Sequence, residues 1–93
     1  MSKYSLTVIF DPESEKSQQE AFVSEVEKMI ADAEGKLVKK EAWGKKELNS
    51  PIKKKEEGLF FLFSFEAPSD KIKEIEKKLR FRDLVLRSLL TTD

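Results

Sequence analysis

Residues 4–10 place Tyr4, Leu6, Val8 and Phe10 on one side of an extended chain and Ser5, Thr7 and Ile9 on the other, the period-two pattern of a half-buried strand. Asp11-Pro12 ends that run, and Phe22, Val26, Met29, Ile30 and Ala33 then recur at the spacing of one helical stripe. The same switch of period happens again further on. Leu59 to Phe65 is an almost wholly apolar strand, Pro68-Ser69-Asp70 reads as a breaker and cap, and Ile72, Ile75 and Leu79 form a second helical stripe before a last strand from Val85 to Thr91. Between the first helix and the apolar strand, residues 36 to 48 alternate charges and read as an edge strand whose lysines discourage stray pairing, with Gly44 marking a bulge.

Local signals refine the ends. Ser17 with Glu20 three residues later fits a capping box, so the first helix is expected to start near Ser17. Gly35, just past the stripe, can take the left-handed conformation that closes a helix. Asn49-Ser50-Pro51 to Gly58 is expected to form a long basic hairpin tip, into which the strands extend partway.

The order strand, helix, strand, strand, helix, strand defines an α+β class. It is the ferredoxin-like split β-α-β sandwich, a four-stranded antiparallel sheet with two helices on one face, and it leaves the other sheet face bare. With 93 residues, one domain spanning 1–93 accounts for the chain.

Composition removes most chemistry. The chain has no cysteine and no histidine, so disulfides, thiolate metal sites and an imidazole base are absent, and no cofactor is expected. Glu56-Glu57 and the Asp11, Glu13 pair have no geometry fixed by spacing, which argues against an enzyme. The opening Met1-Ser2-Lys3-Tyr4 leads directly into alternation without an apolar signal core, and no run approaches the roughly 20 apolar residues of a membrane span, so a cytoplasmic location without membrane contact is expected.

Eighteen basic and 18 acidic residues cancel overall, which disfavours a chain that holds nucleic acid alone by bulk charge. The distribution is uneven: residues 11–34 carry eight acids and two bases, residues 36–57 eight bases and four acids.

Three features point beyond the fold. Ser64, the polar position of the apolar strand, sets its parity: Leu59, Phe61, Phe63 and Phe65 face the helices, and Phe60 and Leu62 face outward, either hidden by a partner or shielded by lysine stems and the hairpin. The hairpin carries Lys45-Lys46 and Lys53-Lys54-Lys55 together with Trp43 and Pro51, which suits phosphates and a stacked ring, although a lysine run in a hairpin is more often a solvated, edge-protecting surface. Arg87, which by alternation sits with Val85 and Leu89, either meets a partner on an open face or reaches round an edge.

Asp11-Pro12, the run Trp43-Gly44-Lys45-Lys46-Glu47-Leu48-Asn49-Ser50-Pro51-Ile52, Gly58 before the aromatic strand, Phe81-Arg82-Asp83 and Val85-Leu86-Arg87-Ser88 together resemble the bacterial small-subunit ribosomal protein S-six family. That resemblance implies a non-catalytic component of the small ribosomal subunit, a monomer when free, which pairs with ribosomal protein S-eighteen and binds the central domain of small-subunit ribosomal RNA during assembly. It implies RNA contacts at Lys3, Tyr4, Lys45, Lys46, Lys53, Lys54, Lys55, Arg80, Arg82 and Arg87, and protein-partner contacts at Trp43, Leu48, Ile52, Phe60, Leu62 and Leu89. A basic partner would explain how a neutral chain comes to sit on RNA. Lys46 stands where the family usually has arginine, and Asn49-Ser50 where it usually has Ala-Tyr, so bidentate and stacking contacts are lost at those places.

Other modules share this element order. An RNA-recognition motif is matched by Gly58 and Phe61 but not by Glu57, Leu59, Phe60 or Ser64, so single-strand binding by the sheet alone is disfavoured. An acyl-phosphate hydrolase needs a glycine-rich loop where this chain has Asp11-Pro12-Glu13-Ser14. A small-ligand regulatory domain would be a homodimer that binds a metabolite, whereas the ribosomal reading expects no small-molecule substrate.

Overall fold

The fold is described by a computed structural model for residues 2–52 and 54–92. Its elements are β1 (Ser2–Phe10), α1 (Lys16–Asp32), β2 (Lys36–Ile52), β3 (Lys55–Ala67), a 3₁₀ turn (Ser69–Lys71), α2 (Ile72–Arg80) and β4 (Val85–Thr92). They form one antiparallel sheet in the order β2-β3-β1-β4. The two strands richest in apolar residues, β1 and β3, occupy the centre, and the lysine-rich β2 lies at an edge where its unpaired groups face water.

Both helical stripes land where their spacing puts them. Phe22, Val26, Met29, Ile30 and Ala33 of the α1 segment and Ile72, Ile75 and Leu79 of α2 are buried in one cluster with Tyr4, Leu6, Val8 and Phe10 of β1 and Phe61, Phe63 and Phe65 of β3. Both helices therefore lie on the same sheet face. Phe10 stacks on Phe22 at 4.6 Å and meets Phe61 edge-on at 6.2 Å. Each such side chain, fully buried, contributes about 1.5–3 kcal/mol.

Three local expectations are corrected. The capping box is Glu15 with Gln18, whose Oε1 accepts from the Glu15 backbone N–H at 2.8 Å, rather than Ser17 with Glu20, while α1 starts at Lys16, near Ser17 as expected. The preceding turn is already tied down, with Glu13 N–H donating to Asp11 Oδ1 and the Ser14 hydroxyl to the Asp11 carbonyl, so the helix starts as soon as that turn ends. At the other end the left-handed residue is Glu34, at φ 61°, and not Gly35. Glu34 N–H reaches the Ala31 carbonyl and Gly35 N–H the Ile30 carbonyl, the paired bonds of a Schellman ending. Gly35 serves close approach instead: a Cβ there would lie 2.7 Å from the Glu66 carbonyl oxygen and 2.9 Å from that of Ile30. Gly35→Ala should destabilise the chain by about 1–3 kcal/mol, because backbone must move, and thermal unfolding followed by circular dichroism checks it. The second helix has no side-chain cap at Ser69 or Asp70; a 3₁₀ turn closed by Lys71 N–H on the Pro68 carbonyl leads into it.

The hairpin differs most from expectation. Ile52 pairs with Lys55, so both strands run almost to the tip and the wide basic loop over residues 49–58 does not form. Lys54 closes the turn with a φ of 67°.

Candidate nucleic-acid and partner interface

Opposite the helices, the strand register lays side chains out in rows. Arg87 of β4 stands across from Ile9, which stands across from Phe60; Leu89 stands across from Thr7, then Leu62, then Glu41. Phe60 and Leu62 thus face outward and Phe61, Phe63 and Phe65 inward, the parity that Ser64 implied. Leu89 is 60% exposed, while Phe60, Leu62 and Ile9 are half-buried. Arg87 and Leu89 share this face, but Val85 does not: the β1–β4 register shifts between Ile9 and Phe10, so Leu86 is an extra residue and Val85 turns into the core opposite Phe10. The expected grouping of Val85 with Arg87 is corrected by that bulge.

A second irregularity shapes the surface. Between Glu47 and Ile52, four residues of β2 span the stretch that β3 covers with Glu56, and Pro51 has no N–H to give to a ladder. Leu48, Pro51 and Ile52 line a cleft of about 380 Å³ with Ile9, Phe60 and Arg87. The hairpin therefore flanks Phe60 without filling the space beside it. Gly58 is required at its base, since a Cβ there would meet Ile9 Cγ2 at 2.4 Å.

Nearer the middle of β2, the register skips Trp43 between Ala42 and Gly44, and Gly44 takes a φ of 81°, the bulge expected at that glycine. The freed Trp43 side chain is 46% exposed, donates from Nε1 to Glu41 Oε2 at 2.9 Å, and has Lys46 Nζ 4.9 Å from its ring centroid. Glu41 also pairs with Lys39 at 2.8 Å, and the hydrogen bonds from Lys39 and then Trp43 hold its carboxyl below its ordinary range. Trp43 is thereby presented on a scaffold of charge rather than in an apolar nest.

The remaining candidates do not form one patch. Lys46 stands opposite Gly58 on the open face, but Lys45 stands opposite Leu59, on the helix side. Lys55 bonds Glu13 at 2.8 Å with Asp11 at 3.9 Å, and the Glu13 contact raises its already high pKa. Lys54 lies exposed at the tip, and Lys53 lies outside the described residues. Lys3, opposite Glu66, is on the open face at the far end of β1 from Ile9. Arg82 pairs with Glu25 of α1 at 3.2 Å, and Arg80 ends α2, so both belong to the helix layer. Tyr4 is a correction: it is 5% exposed and stacks on Phe65 at 5.7 Å, so its ring belongs to the core and is withdrawn from any surface contact.

Ile9 and Phe81, both at the surface, were not among the expected contact residues. Ile9 carried a signal, as the apolar member of the outward set Ser5, Thr7, Ile9. Phe81 carried none beyond its charged neighbours. Among the described residues, no group of acidic, cysteine or histidine side chains could hold a metal ion, and no helix is long and apolar enough to cross a membrane.

Comparison with known proteins places this geometry in context. The family model described as Ribosomal protein S6 matches residues 3–92. The small ribosomal subunit protein bS6 of Clostridioides difficile is 33% identical over 90 residues, covering 97% of both chains. Its counterpart in an Arthrobacter species is 33% identical over 91 residues, covering 98% of this chain and 90% of the other. Among solved structures, the crystal structure of 30S ribosomal protein S6 from Thermotoga maritima superposes with a TM-score of 0.95 at 25% identity, covering 99% of this chain and 87% of that one.

Proposed function

Since the chain belongs to the bacterial ribosomal protein S6 family, whose members are non-enzymatic proteins of the small ribosomal subunit, we propose that it acts in the cytoplasm as an assembly component, pairing with ribosomal protein S-eighteen and binding the central domain of small-subunit ribosomal RNA as that pair. The observation that carries this reading is the bare sheet face. Leu89, Leu62, Phe60 and Ile9 form a partly exposed apolar band on the sheet face opposite the helices, which neither helix covers among the described residues, bordered by the cleft at Leu48 and Ile52. Apolar bands rimmed by polar residues suit a protein partner better than they suit phosphate.

Cations stand round the band rather than within it. Arg87, Lys46 and Lys3 lie on the same face, Lys54 is exposed at the hairpin tip, and Lys45 belongs to the same arm. A chain of zero net charge has too little bulk attraction for RNA to bind it tightly unaided. A basic partner seated on the apolar band would supply the missing charge and continue the RNA-facing rim. The free chain is then a monomer, with neither small-molecule substrate nor membrane contact.

The test is a titration of a fluorescent central-domain RNA fragment with this chain, with S-eighteen, and with both. Weak binding by the chain alone and binding at least about 30-fold tighter in the mixture, equivalent to about 2 kcal/mol of coupling, are expected. Equal affinity with and without S-eighteen contradicts the cooperative mechanism.

A further inference from the structure

The fold has no use for Phe81. The core stripe of α2 ends at Leu79, and Phe81, two residues on and therefore about 200° round the helix axis, points away from the core and is 73% exposed. It is the most exposed of the large apolar side chains that the structure describes. Lys78 and Lys77 precede it by three and four residues, the spacings that share a helix face, and Arg80 adjoins it. Residues 71–82 carry six bases against Glu74 and Glu76. One of the six, Arg82, is engaged with Glu25; of the other five, Lys77, Lys78 and Arg80 are the ones whose spacing puts them beside the ring.

We propose that Phe81 with Lys77, Lys78 and Arg80 forms a second nucleic-acid contact, in which the ring stacks on an unpaired base and the three cations meet the phosphates beside it. This rests on the reading of the chain as a ribosomal-RNA binder and goes beyond it, because the contact lies in the helix layer, across the sheet from the face given to S-eighteen. The chemistry selects single-stranded RNA. A duplex keeps its bases stacked and offers no ring face to Phe81, whereas a loop or bulge does. A single exposed phenylalanine just past a nine-residue helix gives little area to a lipid surface, and its flanking cations favour a phosphate backbone over an apolar groove. Basic residues in the last helical turn would be accounted for by the helix dipole alone; an exposed aromatic among them would not.

The experiment uses the full chain with S-eighteen and the same central-domain RNA fragment, and compares wild type, Phe81→Ala, Phe81→Trp and the double variant Lys77→Gln with Lys78→Gln. Phe81→Ala is expected to weaken RNA binding about tenfold, Phe81→Trp to restore it, and the lysine pair to lower the slope of log affinity against log salt by about 1–2. Melting temperature and affinity for S-eighteen should match wild type in all three. Wild-type binding that Phe81→Ala leaves unchanged overturns the inference while the proposed function stands. No RNA binding by wild type beside S-eighteen removes both. Loss of binding to phosphatidylcholine–phosphatidylglycerol vesicles on Phe81→Ala, with RNA affinity unaltered, overturns the assignment to RNA.

Discussion

Phe60→Asp should lower the affinity of this chain for S-eighteen by at least about 100-fold, and with it abolish joint RNA binding, while the protein still folds. Phe60 stands in the middle of the outward row, between Ile9 on β1 and the bulged segment of β2, where a partner would exclude water most completely. Removing an aromatic anchor from such a position typically costs 2 kcal/mol or more, and placing an unpaired carboxylate in the desolvated patch adds to that. The free chain would feel much less. Phe60 is only partly buried in the free chain and lies outside the core, so a loss of about 1 kcal/mol, or a fall of roughly 4–8 °C in melting temperature, is the expected stability cost. Calorimetric titration with S-eighteen and a melting curve on the same sample separate the two effects. Unchanged affinity would mean that the partner sits elsewhere.

Phe63→Ala, three residues along the same strand, should do the reverse. Phe63 is fully buried beneath the helices and pairs across the sheet with Leu6. Truncating a buried phenylalanine costs about 3–5 kcal/mol because the cavity closes only in part. Against a total stability of about 5–15 kcal/mol, a fall in melting temperature of roughly 15–30 °C is expected, and part of the population unfolds at 37 °C. Near-wild-type melting would show that the assignment of the two faces of β3 is inverted. The contrast between these neighbours is informative because both are phenylalanines in one strand and differ only in side.

That contrast was legible in the sequence, because a single polar residue, Ser64, broke an otherwise uniform run and fixed which side each neighbour takes. The element order and both helical stripes were legible for the same reason, since burial imposes a period. Bulges impose none. Leu86 and Val85 are both apolar and both buried, so nothing in their order announces that two residues oppose one and that Arg87 turns outward after them. The length of the hairpin was hidden because its strands are held by backbone pairing and carry charges, not an apolar alternation.

The identity of the capping residues was hidden for another reason: several residues satisfy one rule. Ser17 with Glu20 and Glu15 with Gln18 both fit a capping box, and the tied turn at Asp11–Ser14 decides between them. A glycine after a helix suggests a left-handed residue, but here the tighter constraint is the Glu66 carbonyl beside Gly35, and Glu34 takes the strained conformation. Tyr4 shows alternation prevailing over family resemblance. Its position with Leu6, Val8 and Phe10 placed it in the core from the start.

Methyl-group nuclear magnetic resonance gives the most direct view of which surface the partner covers. On adding S-eighteen to a methyl-labelled chain, the signals of Ile9, Leu48, Ile52, Leu62 and Leu89 should shift or broaden, while those of Val26, Ile30 and Ile75 beneath the helices hold their positions. Shifts confined to the helix-side methyls, with Leu62 and Leu89 unmoved, would contradict the account.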